Sequence, residues 1–432
     1  MDVCLNHKLA GSGYREALDA LFRRTAGAVR PGLERTTALL AALGNPHLAV
    51  PVLHVAGTNG KGSVVAMLAS ALQWRGLKVG TYTSPHLVDF RERIVVDGRA
   101  VAPDDVVRFL DEHESLITHL DATFFEVTTA LAFQCFAREQ VDVAVVEVGL
   151  GGLLDSTNVV QPLAAGVVSV DIDHVEYLGE SLTAIAREKG GIFKAGVPAV
   201  IGAAPDEATR ELVKAATDAG ASEIIHARQT LREESVRVSD HDTCFLTTDG
   251  LEVRVPLMGE HQAQNAAVAL AMLNAAGEKY RIPAGQAREA LSRVRLPGRF
   301  HRQGRWLFDV AHNPAGARVL ARTMSSAGLD QPVTALVAVL SDKDWQGIIE
   351  ALAPHAGRFV LTTAPTAPSG RVWDAAGAAR WAREHGWDAE FVADFVAALD
   401  EAQRGTGTVL VTGSFHTVGD AMVRLQVDPL SR

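Results

Sequence analysis

The sequence predicts an α/β protein of two unequal lobes. Strand-length apolar runs alternate with segments of helical period, and the strands lead into polar or Gly-rich stretches. The alternation breaks and restarts at Leu296-Pro297-Gly298-Arg299-Phe300. We therefore divide the chain into residues 1–297 and 298–432. At 432 residues the chain is also longer than one core comfortably holds. Hydrophobic residues at 47% against 21% charged describe a globular chain with a large core.

Composition excludes several function classes. A formal charge of −10 offers no broad basic face, so nucleic acid is not an expected partner. Cys4, Cys135 and Cys244 are odd in number and widely spaced, without a metal-type pair, and read as reduced thiols. Met1 to Ala10 lacks the apolar core of a signal peptide, and no run reaches membrane-spanning length. A cytoplasmic protein with no membrane partner is expected.

Taken in order, Tyr14 to Leu43 is helical in two pieces broken at Arg30-Pro31-Gly32. Pro51 to Val55 reads as a buried strand, Val64 to Trp74 as a helix, and Lys78 to Tyr82 as a second strand ending in Thr83-Ser84-Pro85-His86. This is a βαβ unit, whose crossover forces a parallel pair. Between its first strand and helix lies Gly57-Thr58-Asn59-Gly60-Lys61-Gly62-Ser63. Glycines let the backbone approach an oxyanion, successive N–H groups point into one concavity, and the helix adds its positive dipole end. Lys61 adds a mobile charge. The loop is of P-loop type, although Gly62 separates Lys61 from the hydroxyl of Ser63. The competing reading, a Gly-rich turn with an incidental surface lysine, accounts less well for strand before and helix after.

Asp104 to His119 and Phe125 to Glu139 are helical, and Val141 to Val146 is apolar on both faces, as a central parallel strand should be. That strand ends in Glu147-Val148-Gly149-Leu150-Gly151-Gly152, and the next, Ala164 to Val170, in Asp171-Ile172-Asp173-His174. Ligands of open parallel sheets lie beyond the carboxyl ends of the strands, so Lys61, Ser84, Glu147 and His174 are expected to converge. Glu147 suits a carboxylate that positions Mg²⁺ beside a nucleotide, and also suits a turn cap. Lys189 reads by itself as an exposed helical lysine. Residues 205–256 are more polar, with a hairpin signal at Asp249-Gly250, and are expected to embellish an edge. Gly259 to Gly277 is an Ala-rich helix with Asn265 in its first turns.

The second part places strands at Trp306 to Val310, Val333 to Leu340, Phe359 to Thr363 and Thr408 to Thr412, interleaved with helices, which predicts a doubly wound, Rossmann-like domain. Asp309 and His312 bracket a strand-to-helix turn and fit a cap as well as a site. Ser414 and His416 lack the Gly-x-Ser-x-Gly elbow, so a hydrolase triad is rejected. The residues alone support an ATP- or GTP-dependent enzyme with Mg²⁺ between two lobes, and name no substrate.

Several segments carry a resemblance: the Gly57–Ser63 loop, Thr83-Ser84-Pro85-His86-Leu87, Glu147 to Gly152, His174 with Tyr177-Leu178-Gly179, Arg187-Glu188-Lys189, Leu296 to Phe300, Asp309-Val310-Ala311-His312-Asn313-Pro314, Asp342-Lys343-Asp344-Trp345 and Thr412 to Gly419. In this order, from about Gly32 to Gly419, they resemble folylpolyglutamate synthase and bacterial dihydrofolate synthase, of the Mur ligase superfamily. The resemblance implies an N-terminal ATP-binding Mur ligase-like domain, a C-terminal glutamate ligase domain, and an ATP-dependent amide ligase acting through an acyl phosphate. Its substrates would be dihydropteroate, a reduced folate or both, with L-glutamate, and the enzyme a monomer. Gly57, Thr58, Asn59, Gly60, Lys61, Gly62 and Ser63 would hold ATP phosphates, with Asn265, Arg299 and Asp309 as further nucleotide contacts. Ser63, Ser84, Glu147, His174 and a carbamylated Lys189 would hold Mg²⁺, and Lys61, Lys189 and His312 would be catalytic. His312 and Ser414 would handle glutamate, and Phe124, Phe125 and Glu126 would wall the pterin site. The sequence departs from the family at Leu153, commonly Arg, and at Gly190, commonly Ala. The alternatives are a ligase of the Mur peptidoglycan branch and a non-catalytic nucleotide switch.

Overall fold

The computed structural model describes residues 12–24, 32–283 and 285–430. Cys4, Met1 to Ala10 and the expected break at Arg30-Pro31 lie outside the described residues. The first lobe is built on β1 (Val52–Ala56), β2 (Val79–Tyr82), β3 (Ile94–Val96), β4 (Arg99–Ala100), β5 (Val143–Glu147), β6 (Ala164–Ser169), β7 (Ala199–Ala203) and β8 (Ile224–His226). They form one sheet in the order β4-β3-β2-β5-β1-β6-β7-β8, parallel except where β3 pairs with β2 and β4 with β3. Strand β1 lies between β5 and β6, and every residue of it is buried. Period-2 alternation then assigns its side chains to two cores. Leu53 and Val55 pack with helices Lys61–Trp74 and Glu260–Ala275, while Val52 faces helix Phe124–Arg138.

Strands β9 (Leu231–Val238), β10 (Thr243–Thr247) and β11 (Glu252–Val255) form a separate antiparallel sheet, with Gly250 at φ 86° in the β10–β11 turn. The hairpin is where the Asp249-Gly250 signal put it. Its role is larger than an edge embellishment: Leu231, Phe245, Val253 and Val255 join the core of helix Glu260–Ala275 and cover it from outside. Apolar alternation on one face of the hairpin buries it there.

The second lobe comprises β12 (His301–Gln303), β13 (Trp306–Phe308), β14 (Thr334–Val337), β15 (Arg358–Leu361), β16 (Ala389–Phe391) and β17 (Val409–Thr412), in the order β12-β13-β17-β14-β15-β16. All pairings are parallel except β12 with β13. Helices cover both faces, giving two core clusters. Several strands are shorter than their apolar runs. Val333 to Leu340, for example, is strand only over Thr334–Val337, because Leu340 leaves the sheet to bridge Val372. No helix among the described residues is long and apolar enough to cross a membrane.

Candidate active site

The helix after β1 starts at Lys61, so Lys61-Gly62-Ser63 is its first turn and the free N–H groups there face the loop. Gly60 precedes it at φ 87°, and a Cβ there would stand 2.5 Å from Asn265 Oδ1 and 3.0 Å from Val168 Cγ1. Only glycine fits. The loop is tied to the end of β6: Thr58 N donates to Ser169 O at 2.9 Å, Asn59 N to Ser169 Oγ at 3.0 Å, and Asp171 N to Thr58 Oγ1 at 3.0 Å. Lys61 Nζ folds back onto the carbonyls of Gly57 and Thr58, at 3.0 and 3.3 Å, and lies 4.0 Å from Glu147 Oε1.

The expected convergence is present. A cavity of about 100 Å³ is lined by the Gly57–Gly62 loop, Ser84, Glu147, His174 and Lys189 from the first lobe, and by Arg299, His312 and Phe415 from the second. Glu147 is the last residue of β5 and fully buried; burial pushes its pKa up, opposed by Lys61, the Ser84 amide, Arg299 and Arg93. Ser84 N approaches Glu147 Oε2 at 3.4 Å.

Lys189 is 4% exposed, which corrects its reading as a solvated lysine. Burial, with the charge of Lys61, lowers its pKa to about 7. The adjoining glycines permit this close approach. A Cβ at Gly190 would be 2.7 Å from Ala215 Cβ on the neighbouring helix Asp206–Asp218, and one at Gly191 would be 2.5 Å from Leu153. Gly190 is therefore a contact point between two helices. Leu153 projects into solvent at 44% exposure while its N–H donates to Glu188 O at 2.9 Å.

A second cavity of about 490 Å³ continues from the phosphate loop between the lobes, lined by Ser63, His261, Asn265, Arg299, Asp309 and Arg322 among others. Asn265 donates to Gln262 Oε1 at 3.0 Å, and the Arg299 guanidinium lies 5.2 Å over the Phe415 ring. Asp309 accepts from Phe300 N and Ala311 N, both at 2.9 Å, so it shapes the interlobe turn while facing the cavity. His312 Nδ1 meets Val310 O at 2.9 Å, which makes Nδ1 the protonated nitrogen and leaves Nε2 toward the crevice.

Four expected site residues, Phe124, Phe125, Glu126 and Ser414, lie outside these cavities. Phe124, 2% exposed, stacks on Phe22 at 5.3 Å, and only Phe125, 41% exposed, offers a ring to solvent. Glu126 closes a capping box on Thr123 N at 2.7 Å and pairs with Arg35 at 2.9 Å, while Ser414 Oγ caps its helix by accepting from Thr417 N at 3.0 Å. The buried side chains of Phe124, Glu126 and Ser414 are thus engaged in holding the fold.

Sequence reasoning missed Asp173, Asp155 and Arg93. Asp173 is gripped from the other lobe by Lys343 Nζ at 2.5 Å and Asn313 Nδ2 at 2.9 Å, with His312 Nε2 at 3.7 Å. Burial would raise its pKa, but the neighbouring His312, His174 and Lys343 side chains hold it well below the carboxylate range. Asp155 accepts from Gly149 N and Leu150 N, each at 3.0 Å. Arg93 is 5% exposed, donates through Nε to His86 Nδ1 at 2.8 Å, and leaves Nη1 without a protein partner. The only sequence signal for Asp173 was its place in a strand-terminal motif.

Among the described residues, no group of three His, Cys, Asp or Glu side chains could hold a metal by itself. The donor set still fits Mg²⁺, which keeps waters and phosphate oxygens and needs one or two carboxylates. Glu147 supplies a buried carboxylate whose nearest cation, Lys61, stands 4.0 Å away.

The Mur ligase middle domain model matches residues 55–273, and the Mur ligase glutamate ligase domain model residues 295–415. The dihydrofolate synthase/folylpolyglutamate synthase of Bacillus subtilis is 32% identical over 436 residues, covering 96% of this chain and 100% of that protein. The Escherichia coli protein of the same name is 36% identical, covering 90% of each. Among solved structures, Mycobacterium tuberculosis folylpolyglutamate synthase complexed with ADP superposes with a TM-score of 0.87 at 32% identity, covering 97% of this chain and 99% of that one. Escherichia coli FolC in complex with DHPP and ADP gives 0.83 at 33%, covering 96% and 98%. With relatives 32% and 36% identical that cover 96% and 90% of it, the chain belongs to the dihydrofolate synthase/folylpolyglutamate synthase family of Mur ligases.

Proposed function

We propose that this protein joins L-glutamate to a carboxylate of a pterin-bearing substrate, dihydropteroate, a reduced folate or both, using ATP. The observation that carries the reading is one crevice in which the phosphate loop, Glu147 and a buried Lys189 meet Arg299 and His312 of the other lobe.

A carboxylate is a poor electrophile. Transfer of the γ-phosphoryl group of ATP to its oxygen makes an acyl phosphate, which the α-amine of glutamate attacks with loss of phosphate. The amides of Gly57 to Ser63 and the start of helix Lys61–Trp74 cradle the phosphates. Lys61, released from its two carbonyl partners, places its charge on the phosphoryl oxygens. Asn265, Arg299 and Asp309 hold the nucleoside end in the larger cavity. Phe125 offers its exposed ring to the pterin part. His312, with Nδ1–H held by Val310 O, turns Nε2 to where the glutamate amine enters and can take its proton. The two lobes enclose the acyl phosphate and keep water from it.

Ser63, Ser84, Glu147 and His174 are the residues that would hold Mg²⁺. Held there, Mg²⁺ would supply the positive charge that offsets the transferring phosphoryl group. Lys189 has the chemistry needed for carbamylation, since its amine is partly unprotonated near pH 7 and shielded from solvent. We place the enzyme in the cytosol as a monomer, divided near residues 297 and 298.

The test is phosphate release by the purified protein with ATP, Mg²⁺ and L-glutamate. Release should require dihydropteroate or a reduced folate, and equal release without either would sink the reading. Supplying the two acceptors separately decides between the synthase activities.

A further inference from the structure

His54 is out of place. It lies in the middle of β1, 0% exposed, between Val146 of β5 and Ala165 of β6, where a central parallel strand normally carries only apolar side chains. Burial, with the nearby charge of Lys194, lowers its pKa to about 3, so the ring is neutral. None of the roles assigned above uses it.

Its hydrogen bonds run to the crevice. His54 Nε2 lies 2.9 Å from Thr157 Oγ1, and Thr157 Oγ1 lies 2.5 Å from Asp155 Oδ1. Asp155 Oδ1 also accepts from Thr157 N at 2.9 Å, and Oδ2 accepts from Gly149 N and Leu150 N at 3.0 Å. With N–H groups on both oxygens, Asp155 is an acceptor throughout. The single hydroxyl proton of Thr157 therefore goes to Asp155, and Thr157 must accept from His54. This assigns the tautomer: His54 carries its proton on Nε2, and Nδ1 is left buried without a partner. An orphaned ring nitrogen in the core is a cost that the relay must repay.

We propose that His54 is a positioning residue, acting through Thr157 and Asp155 to set the Gly149 and Leu150 amides, and with them the wall of the crevice next to Glu147. The relay joins the middle of β1 to the loop that follows β5. His54 lies three residues before Gly57, where the phosphate loop begins, and Gly149 lies two residues after Glu147. The sheet thereby holds the phosphate loop in register with the loop of the metal-binding acid. Asn158 continues the stitching beyond Asp155, donating to Leu153 O at 2.9 Å and Gly191 O at 3.1 Å and so tying the same loop to the segment after Lys189.

The inference rests on the ligase reading of the crevice, and its test separates the two. His54→Val suits a buried strand and removes the donor; His54→Gln places an amide N–H where Nε2–H was. In His54→Val the peptide covering residues 148–155 should exchange its amide hydrogens faster, and kcat should fall about five- to tenfold while KM for ATP changes less than about twofold. His54→Gln should restore both the protection and most of kcat. Thr157→Val breaks the relay from the other end and should reproduce His54→Val, which keeps the test available if one variant folds poorly. Unchanged exchange over 148–155 in both valine variants would overturn the relay, as would equal impairment of His54→Val and His54→Gln in proportion to lost thermal stability. The exchange measurement needs no turnover, so it decides the relay even if the unmodified protein ligates no glutamate.

Discussion

At the scale of single residues, Lys189 and Asp420 depart in opposite directions from what their neighbours in the chain suggest. Lys189 follows Arg187 and Glu188 on a helix, yet it is buried and its amine lowered to about 7. Nothing in a one-dimensional pattern reports that Leu153 and Ala215 pack beside the adjoining glycines. Asp420 accepts from Thr366 N at 3.0 Å and Thr366 Oγ1 at 3.1 Å, and burial pushes its carboxyl up from 3.8 to about 6. A group with a raised folded pKa binds more protons folded than unfolded, so stability falls as pH rises from about 4 to about 6 and the penalty remains above that window. Asp420→Asn keeps an acceptor for Thr366 and removes the charge. It should stabilise the protein by about 1–2 kcal/mol at pH 7.5 and not at pH 4, read from thermal melts at the two pH values.

Among elements, the phosphate loop was the most legible. Glycine spacing between an apolar strand and a helical period requires little tertiary information, because positive φ and close backbone approach are local demands. Gly60→Ala, with φ 87° and a new Cβ 2.5 Å from Asn265 Oδ1, should weaken ADP binding at least about tenfold by calorimetry. Folded structure with unchanged affinity would contradict the loop's assignment. The short strands β3, β4, β8, β12 and β16 escaped the sequence reading. Each has five residues or fewer, too few to display a period, and pairing with an existing sheet edge is what makes them strands. Glu126 and Ser414 carry a different ambiguity: both types also cap helices, and both serve as caps here.

Across the whole molecule, the lobes meet through polar and close-packed contacts. Lys343 Nζ reaches Asp173 Oδ1 at 2.5 Å with both side chains under 10% exposed, Asn313 spans to Asn59 Oδ1 at 3.4 Å, and the helix at Gly419 presses on the Leu87 backbone. Removing one partner of a buried pair strands the other charge, at a cost of about 3–5 kcal/mol. Because this pair joins two lobes, Lys343→Met should both lower the melting temperature and enlarge the radius of gyration in small-angle scattering. Adding Asp173→Asn should recover part of the melting temperature by removing the stranded charge. A single variant with unchanged scattering would show that the pair does not hold the lobes together.

The sequence by itself determined the α/β class, the glycine-rich loop between strand and helix and the order of strand-end motifs, because these rest on local periodicity, glycine spacing and chain order. Tertiary structure alone decided that Lys189 is buried, that Lys343 grips Asp173 across 170 positions, and that His54 meets Thr157 in the core. Those depend on which surfaces the sheets bring together and on how much water they exclude. Neither quantity is a property of any short stretch of chain.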